Sequence, residues 1–189
     1  RKILQEYDPA LLDGPPQAVP IETIIETKFD LTLEYHCLRK NGSILGETIF
    51  DEGAAILYDQ DEKRYRLIAV KAGTILVEER LCVDRLLGRL RFTCAHELGH
   101  WVLHQKLYSG TGDVAAYEGK TSLDESYGLV EWQADALATA LLMPLPQIKR
   151  SFYRLRAGRS HEHLVAEMAR TFQVSKQAMR IRLETRNLI

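Results

Sequence analysis

The run His96-Glu97-Leu98-Gly99-His100 holds the residue types and the spacing for hydrolysis assisted by a metal ion. On a helix, residues four apart differ by about 40° in direction, so His96 and His100 project from one face a single turn apart. Two imidazole nitrogens placed this way can reach one zinc at about 2.0–2.1 Å. Glu97 falls about 60° from His100, beside the histidine pair. From there it can reach a metal-bound water without ligating the metal, as a general base must. Gly99 inside the helix costs about 1 kcal/mol against Ala, which implies that backbone or substrate approaches closely at that point. The competing reading makes both histidines ordinary members of an amphipathic helix, and the pentapeptide alone does not remove it.

A catalytic zinc takes three protein ligands and keeps one open position. The run Glu131-Trp132-Gln133-Ala134-Asp135 puts Glu131 and Asp135 one turn apart on a common face of a second helix. Its other residues are mostly apolar (Trp132, Ala134, Ala136, Leu137, Ala138), so two carboxylates there would be costly to bury without a metal or a strong donor. Glu131 as third ligand, with Asp135 accepting the N–H of a ligand imidazole, meets both needs. The helix register equally permits the reverse. His104 lies one turn beyond His100, too early for a further ligand six residues on, and is expected at the cleft or in a structural hydrogen bond. Cys94 precedes His96 by two residues, about 200° around the helix, and so points away from the metal. His36 reads as structural, and His161 and His163 as solvated. For a donor to a transition-state oxyanion, Tyr108, Tyr117, Tyr127 and Tyr153 qualify by type only.

The elements that must position these groups can be read in outline. Residues 1–20 read as an irregular lead-in, with Asp13-Gly14-Pro15-Pro16 and Pro20 breaking regular structure. Ile21, Ile24, Ile25 and Phe29 have helical spacing. From Leu31 to Glu79 the texture turns to short β-favouring runs, Leu31–Tyr35, Ala54–Tyr58, Tyr65–Val70 and Thr74–Val77. Turns at Asn41-Gly42, Asp51–Gly53, Asp59–Lys63 and Ala72-Gly73 separate them, which predicts a small, twisted, antiparallel or mixed sheet. Asp84 is the expected N-cap of a helix running past His104. Gln105 to Lys120 reads as a long surface loop, and a second helix spans Leu123 to Met143 before Met143-Pro144 stops it. Helices around Gln147–Leu155, His161–Phe172 and Ser175–Arg186 follow, with Ser175 as an N-cap. The expectation is an α+β fold, a small N-terminal twisted sheet packed on a helical body. It forms one domain over 1–189: lead-in 1–20, helix plus sheet 21–79, metal-site helices 80–143 and C-terminal helices 144–189.

The chain has 189 residues, 46% of them hydrophobic, and a formal net charge of −1. Such a chain can bury a core, and it has no global field that draws it to nucleic acid or an anionic membrane. No apolar run approaches the length of a membrane span, and Arg1 to Pro9 carries charge with no apolar stretch after it, so no signal peptide is expected. Three cysteines, Cys37, Cys82 and Cys94, lie far apart. The odd number fits half-buried thiols in a reducing compartment, the cytoplasm.

Arg91-Phe92-Thr93-Cys94-Ala95-His96-Glu97-Leu98-Gly99-His100, ending in Leu103-His104, resembles the signature of the ImmA/IrrE metallo-endopeptidases. Glu131 to Asp135, continuing to Leu141-Leu142-Met143-Pro144, resembles that family's second signature. The resemblance implies a gluzincin-like site with one zinc per chain on His96, His100 and Glu131, with Glu97 as base. It also implies a protein substrate, often a helix-turn-helix repressor whose cleavage releases stress or mobile-element genes. A second reading comes from His163–Ser175 followed by Ala178–Leu183, which looks like a helix-turn-helix with Arg170, Lys176, Arg180, Arg182 and Arg186 nearby. A DNA-binding regulator with a structural or silent metal site would follow. The segment lacks the glycine often found in the turn and the near-neutral chain supplies little phosphate attraction, so direct nucleic-acid binding is not expected. A third reading is a catalytically silent metal-binding scaffold in a toxin–antitoxin or phage operon.

Overall fold

A computed structural model describes residues 1–109 and 125–189, with the side chains of the second stretch from residue 128. The chain opens with short helices α1 (Lys2–Tyr7) and α2 (Ala10–Asp13), then α3 (Ile21–Lys28). Five strands follow, β1 (Thr32–His36), β2 (Gly46–Ile49), β3 (Gly53–Asp59), β4 (Arg64–Val70) and β5 (Thr74–Glu78). The helical body is α4 (Leu87–Tyr108), α5 (Glu125–Leu142), α6 (Leu145–Leu155), α7 (His161–Phe172) and α8 (Lys176–Glu184). The fold is α+β.

β5 is buried at every position and holds the sheet together. It pairs in parallel with β1 (Thr32 opposite Thr74) and antiparallel with β2 (Gly46 opposite Val77), giving the mixed order β1-β5-β2. Because successive strand residues face opposite sides, one strand serves two cores. Ile75 and Val77 join the large cluster with the helices, while Leu76 joins a smaller one with Leu38, Ile49, Ala55, Leu57 and Val70. The last three belong to the β3–β4 hairpin, which forms a separate two-stranded sheet.

α4 extends over 22 residues, about 33 Å at 1.5 Å per residue. Leu90, Cys94, Ala95 and Leu98 place one side of it in the large core. α5 packs along it and comes close at Gly99: a Cβ there would lie 3.0 Å from the Ala134 Cα and 3.1 Å from its carbonyl oxygen. Gly99 therefore makes room for the backbone of α5, which brings Glu131 and Asp135 up to the histidines. At the far end, Pro144 stops α5, and the buried Arg182 guanidinium on α8 donates to the freed Met143 carbonyl through Nη2 at 2.9 Å.

Local details depart from the sequence reading for physical reasons. The lead-in 1–20 contains α1 and α2, which bury Leu4, Leu11 and Leu12 against the core; tertiary packing offsets weak local signals there. Asp84 caps nothing through its side chain, because a 3₁₀ turn at Asp84–Leu86 precedes α4. The segment 105–120 begins as helix to Tyr108, and its remainder from 110, like Leu123, lies outside the described residues. Ser175 does cap α8, its hydroxyl accepting from the Ala178 N–H at 3.1 Å. Between α7 and α8, Gln173 takes the left-handed conformation (φ 53°) expected of a glycine. Both helices bury a face in the large core through Leu164, Met168, Met179 and Leu183.

Candidate metal centre

α4 and α5 bring three ligand-type groups together. His96 Nε2 and His100 Nε2 are 2.8 Å apart, and the Glu131 carboxylate lies 3.3 Å from the first and 3.4 Å from the second. The three groups could hold one metal ion. A tetrahedral zinc with bonds of about 2.0–2.1 Å separates its ligand atoms by about 3.3–3.4 Å. Two of the three separations already match, and the third needs an opening of about half an ångström. The residues fit the ion.

Hydrogen bonds on the far side of each imidazole agree with this. The Asp135 carboxylate, an acceptor only, stands 2.8 Å from His96 Nδ1. With a metal on Nε2, His96 carries its one proton on Nδ1, where Asp135 accepts it. Asp135 is 56% exposed, so burial does not mark it; Glu131 is 30% exposed, with its Oε1 buried. His100 Nδ1 is 3.1 Å from His104 Nδ1, and His104 Nε2 is 3.0 Å from Gln133 Oε1.

His104 is 1% exposed and takes no part in lining the pocket; of its two expected places, the cleft or a structural hydrogen bond, it occupies the second. It lies one turn beyond His100, on the side where α4 meets α5. Cys94 is buried in the core, away from the metal-binding groups, and all three cysteines are free thiols, with Cys37 buried and Cys82 exposed. His36 pairs with Glu34 on β1, and His161 and His163 are exposed at the head of α7. Of the tyrosines, Tyr108 stacks on Phe50 and Tyr153 is exposed on α6. Neither lines the pocket. Tyr117 and the Tyr127 side chain lie outside the described residues.

Glu97 turns into the same pocket, a cavity of about 710 Å³ lined also by Arg39, Ile44, Gly46, Glu47, Phe92 and Thr93. Its Oε2 accepts from the Thr48 hydroxyl at 2.6 Å. Burial pushes the Glu97 carboxyl up to about 7, against lowering by His96 and Thr48. On the metal-free histidines the same forces act in opposite directions. Burial disfavours a charge on His96, but Glu131, Glu97 and Asp135 outweigh it and raise the ring to about 9. Burial and the His96 charge hold His100 down to about 3, neutral and available as a ligand.

Sequence reasoning missed two residues here, Gly46 and Thr48, both on β2. A Cβ at position 46 would meet Glu97 Oε1 at 2.5 Å and Thr93 Cγ2 at 2.8 Å, so the strand can run this close to the glutamate only with glycine. No local signal marks either residue, since Gly46-Glu47 reads as a poor strand.

The family model Peptidase_M78, described as IrrE N-terminal-like domain, matches residues 58–184, about two thirds of the chain. The chain belongs to this family. It is therefore a peptidase, and its substrate is a protein. The Peptidase_M78 match covers every residue of the metal-binding group but begins after β2, leaving Gly46 and Thr48 outside. Among curated proteins, none matches the chain. No helix among the described residues is long and apolar enough to cross a membrane.

Proposed function

We propose that this peptidase is a zinc-dependent endopeptidase of the cytoplasm that cuts a helix-turn-helix repressor or a similar regulatory protein. The observation that carries the reading is the convergence of His96, His100 and Glu131 on one point, with the Glu97 carboxylate in the same pocket. Zinc held there would supply a Lewis acid that polarises the scissile carbonyl and makes water a stronger nucleophile at neutral pH. His96, His100 and Glu131 would hold the ion, and Asp135 would fix the orientation of the His96 ring. Glu97 holds and moves the proton: Thr48 occupies Oε2, so Oε1 takes the proton from the attacking water and hands it to the leaving amine. A carboxyl near 7 suits both halves of that exchange.

β2 supports a peptide substrate. Among the described residues it pairs only with β5, and its start lines the pocket. An extended segment added to its free edge would run past Glu97 with its backbone amides satisfied by the strand. The three free thiols agree with a reducing compartment. The repressor as substrate rests on the ImmA/IrrE resemblance.

Co-expression with a helix-turn-helix repressor from the same genome tests the reading. The repressor should be cut by the wild type and left whole with Glu97→Gln, which should keep its fold and zinc while cleavage falls about 10²–10⁴-fold. Undiminished cleavage by Glu97→Gln overturns the mechanism. Salt-dependent DNA binding without peptidase activity would favour the regulator reading instead.

A further inference from the structure

Each histidine of the site has a hydrogen-bonding partner behind it, but the two partners differ in kind. His96 faces a carboxylate that is 56% exposed. His100, only 2% exposed, faces a second imidazole that is itself buried. A carboxylate at position 104 would carry its charge into the interior, where desolvation is expensive; an imidazole accepts a hydrogen bond and stays neutral.

Given His100 on the metal through Nε2, the proton positions along this branch have a single solution. His100 Nε2 turns to the Glu131 carboxylate and to His96, so its proton sits on Nδ1 and donates to His104 Nδ1 across 3.1 Å. His104 must then carry its own proton on Nε2, which donates to Gln133 Oε1 at 3.0 Å. The amide oxygen of the half-buried Gln133 ends the chain. All four nitrogens and the terminal oxygen agree on one direction. A buried histidine kept only for packing would need partners for both nitrogens and no particular order among them. Here one partner is a metal-binding imidazole, and the other lies on the helix that carries Glu131.

We propose that His104 and Gln133 are positioning residues, a neutral relay that sets the tautomer and ring orientation of His100 for metal binding. It rests on the metal-site reading above. It also ties α4 to α5: the relay reaches its end only where Gln133 is, two residues from Glu131, so the tautomer of one ligand and the position of another depend on the same helix contact.

Zinc affinity of the purified full chain, measured by chelator competition, tests this together with the melting temperature of the metal-free protein. Gln133→Leu should bind zinc several-fold more weakly, whereas Gln133→Glu, which restores an acceptor oxygen, should return to within a few-fold of wild type. His104→Phe should lose about 10–100-fold, and His104→Gln should recover part of that by offering its amide oxygen to His100. Gln133→Leu also strands the buried His104 N–H, so its metal-free melting temperature should fall while that of Gln133→Glu stays near wild type; a purely structural role predicts that fall with zinc affinity unchanged. Wild-type zinc affinity in Gln133→Leu overturns the relay, whatever His104→Phe does. Absence of zinc binding by the wild type overturns the metal-site reading and the relay with it.

Discussion

Gly46 stands so close to Glu97 that a methyl group on its Cα would come within 2.5 Å of Oε1 and 2.8 Å of Cγ. The atoms in the way are side-chain atoms, those of Glu97 and the Thr93 Cγ2 at 2.8 Å, so Gly46→Ala should keep the backbone and the zinc ligands in place and displace the glutamate. A misplacement of about 1 Å at a reacting group costs about 10²-fold in rate. Gly46→Ala is therefore expected to bind zinc normally and cleave at least that much more slowly. A variant with wild-type activity would show that Glu97 Oε1 is not the proton acceptor.

Metal content tests the ligand set. The wild type should carry one zinc per chain, and His96→Ala, His100→Ala and Glu131→Ala should each lose most of it. Cys94→Ser should keep all of it, because Cys94 is in the core. Full stoichiometry and affinity in Glu131→Ala would remove that residue from the site.

Much of the site is legible in the sequence because its signals are local. The spacing of His96 and His100, and of Glu131 and Asp135, is a property of a single helix turn, and Pro144 and Ser175 mark boundaries through their own backbone chemistry. What is not legible is set by distant partners. β2 becomes a strand through pairing with β5, nearly thirty residues later, and Thr48 finds Glu97 across 49 positions of sequence. Gln173 does the work of a turn glycine because packing on both sides holds it there, which no composition rule anticipates. Helix register puts Glu131 and Asp135 on one face without deciding which of them pairs with His96 Nδ1, and the burial argument fails for Asp135, which is more than half exposed.

Gly99 sets two opposed effects against each other. Alanine in a helix interior gains about 1 kcal/mol over glycine. Here the new methyl would press on the Cα and carbonyl oxygen of Ala134 at 3.0 and 3.1 Å, and backbone within a packed helix does not yield alone. Overpacking of this kind costs about 1–3 kcal/mol. Gly99→Ala should thus lower the melting temperature of the metal-free protein, and weaken zinc binding as α5 carries Glu131 outward. A higher melting temperature with unchanged affinity would mean that α5 moves back freely.

Asp135 and Glu131 sit one turn apart on α5 but should respond differently to loss of charge. Glu131 would contribute an oxygen to the metal, so Glu131→Gln replaces an anionic ligand by a neutral one. Asp135 would act on the metal only through His96, whose Nδ1 lies 2.8 Å from its carboxylate. Removing such a partner costs about 10–100-fold in affinity. Two features place Asp135→Asn at the lower end: solvent already screens a carboxylate that is 56% exposed, and an asparagine oxygen can still accept the same hydrogen bond. Asp135→Asn is expected to bind zinc about tenfold more weakly, close to 1.4 kcal/mol, and Glu131→Gln more weakly still. Chelator competition on the three proteins checks the order. Equal affinity in wild type and Asp135→Asn would make Asp135 an ordinary surface carboxylate. A greater loss in Asp135→Asn than in Glu131→Gln would exchange the two roles, with the metal shifted toward the outer end of the site.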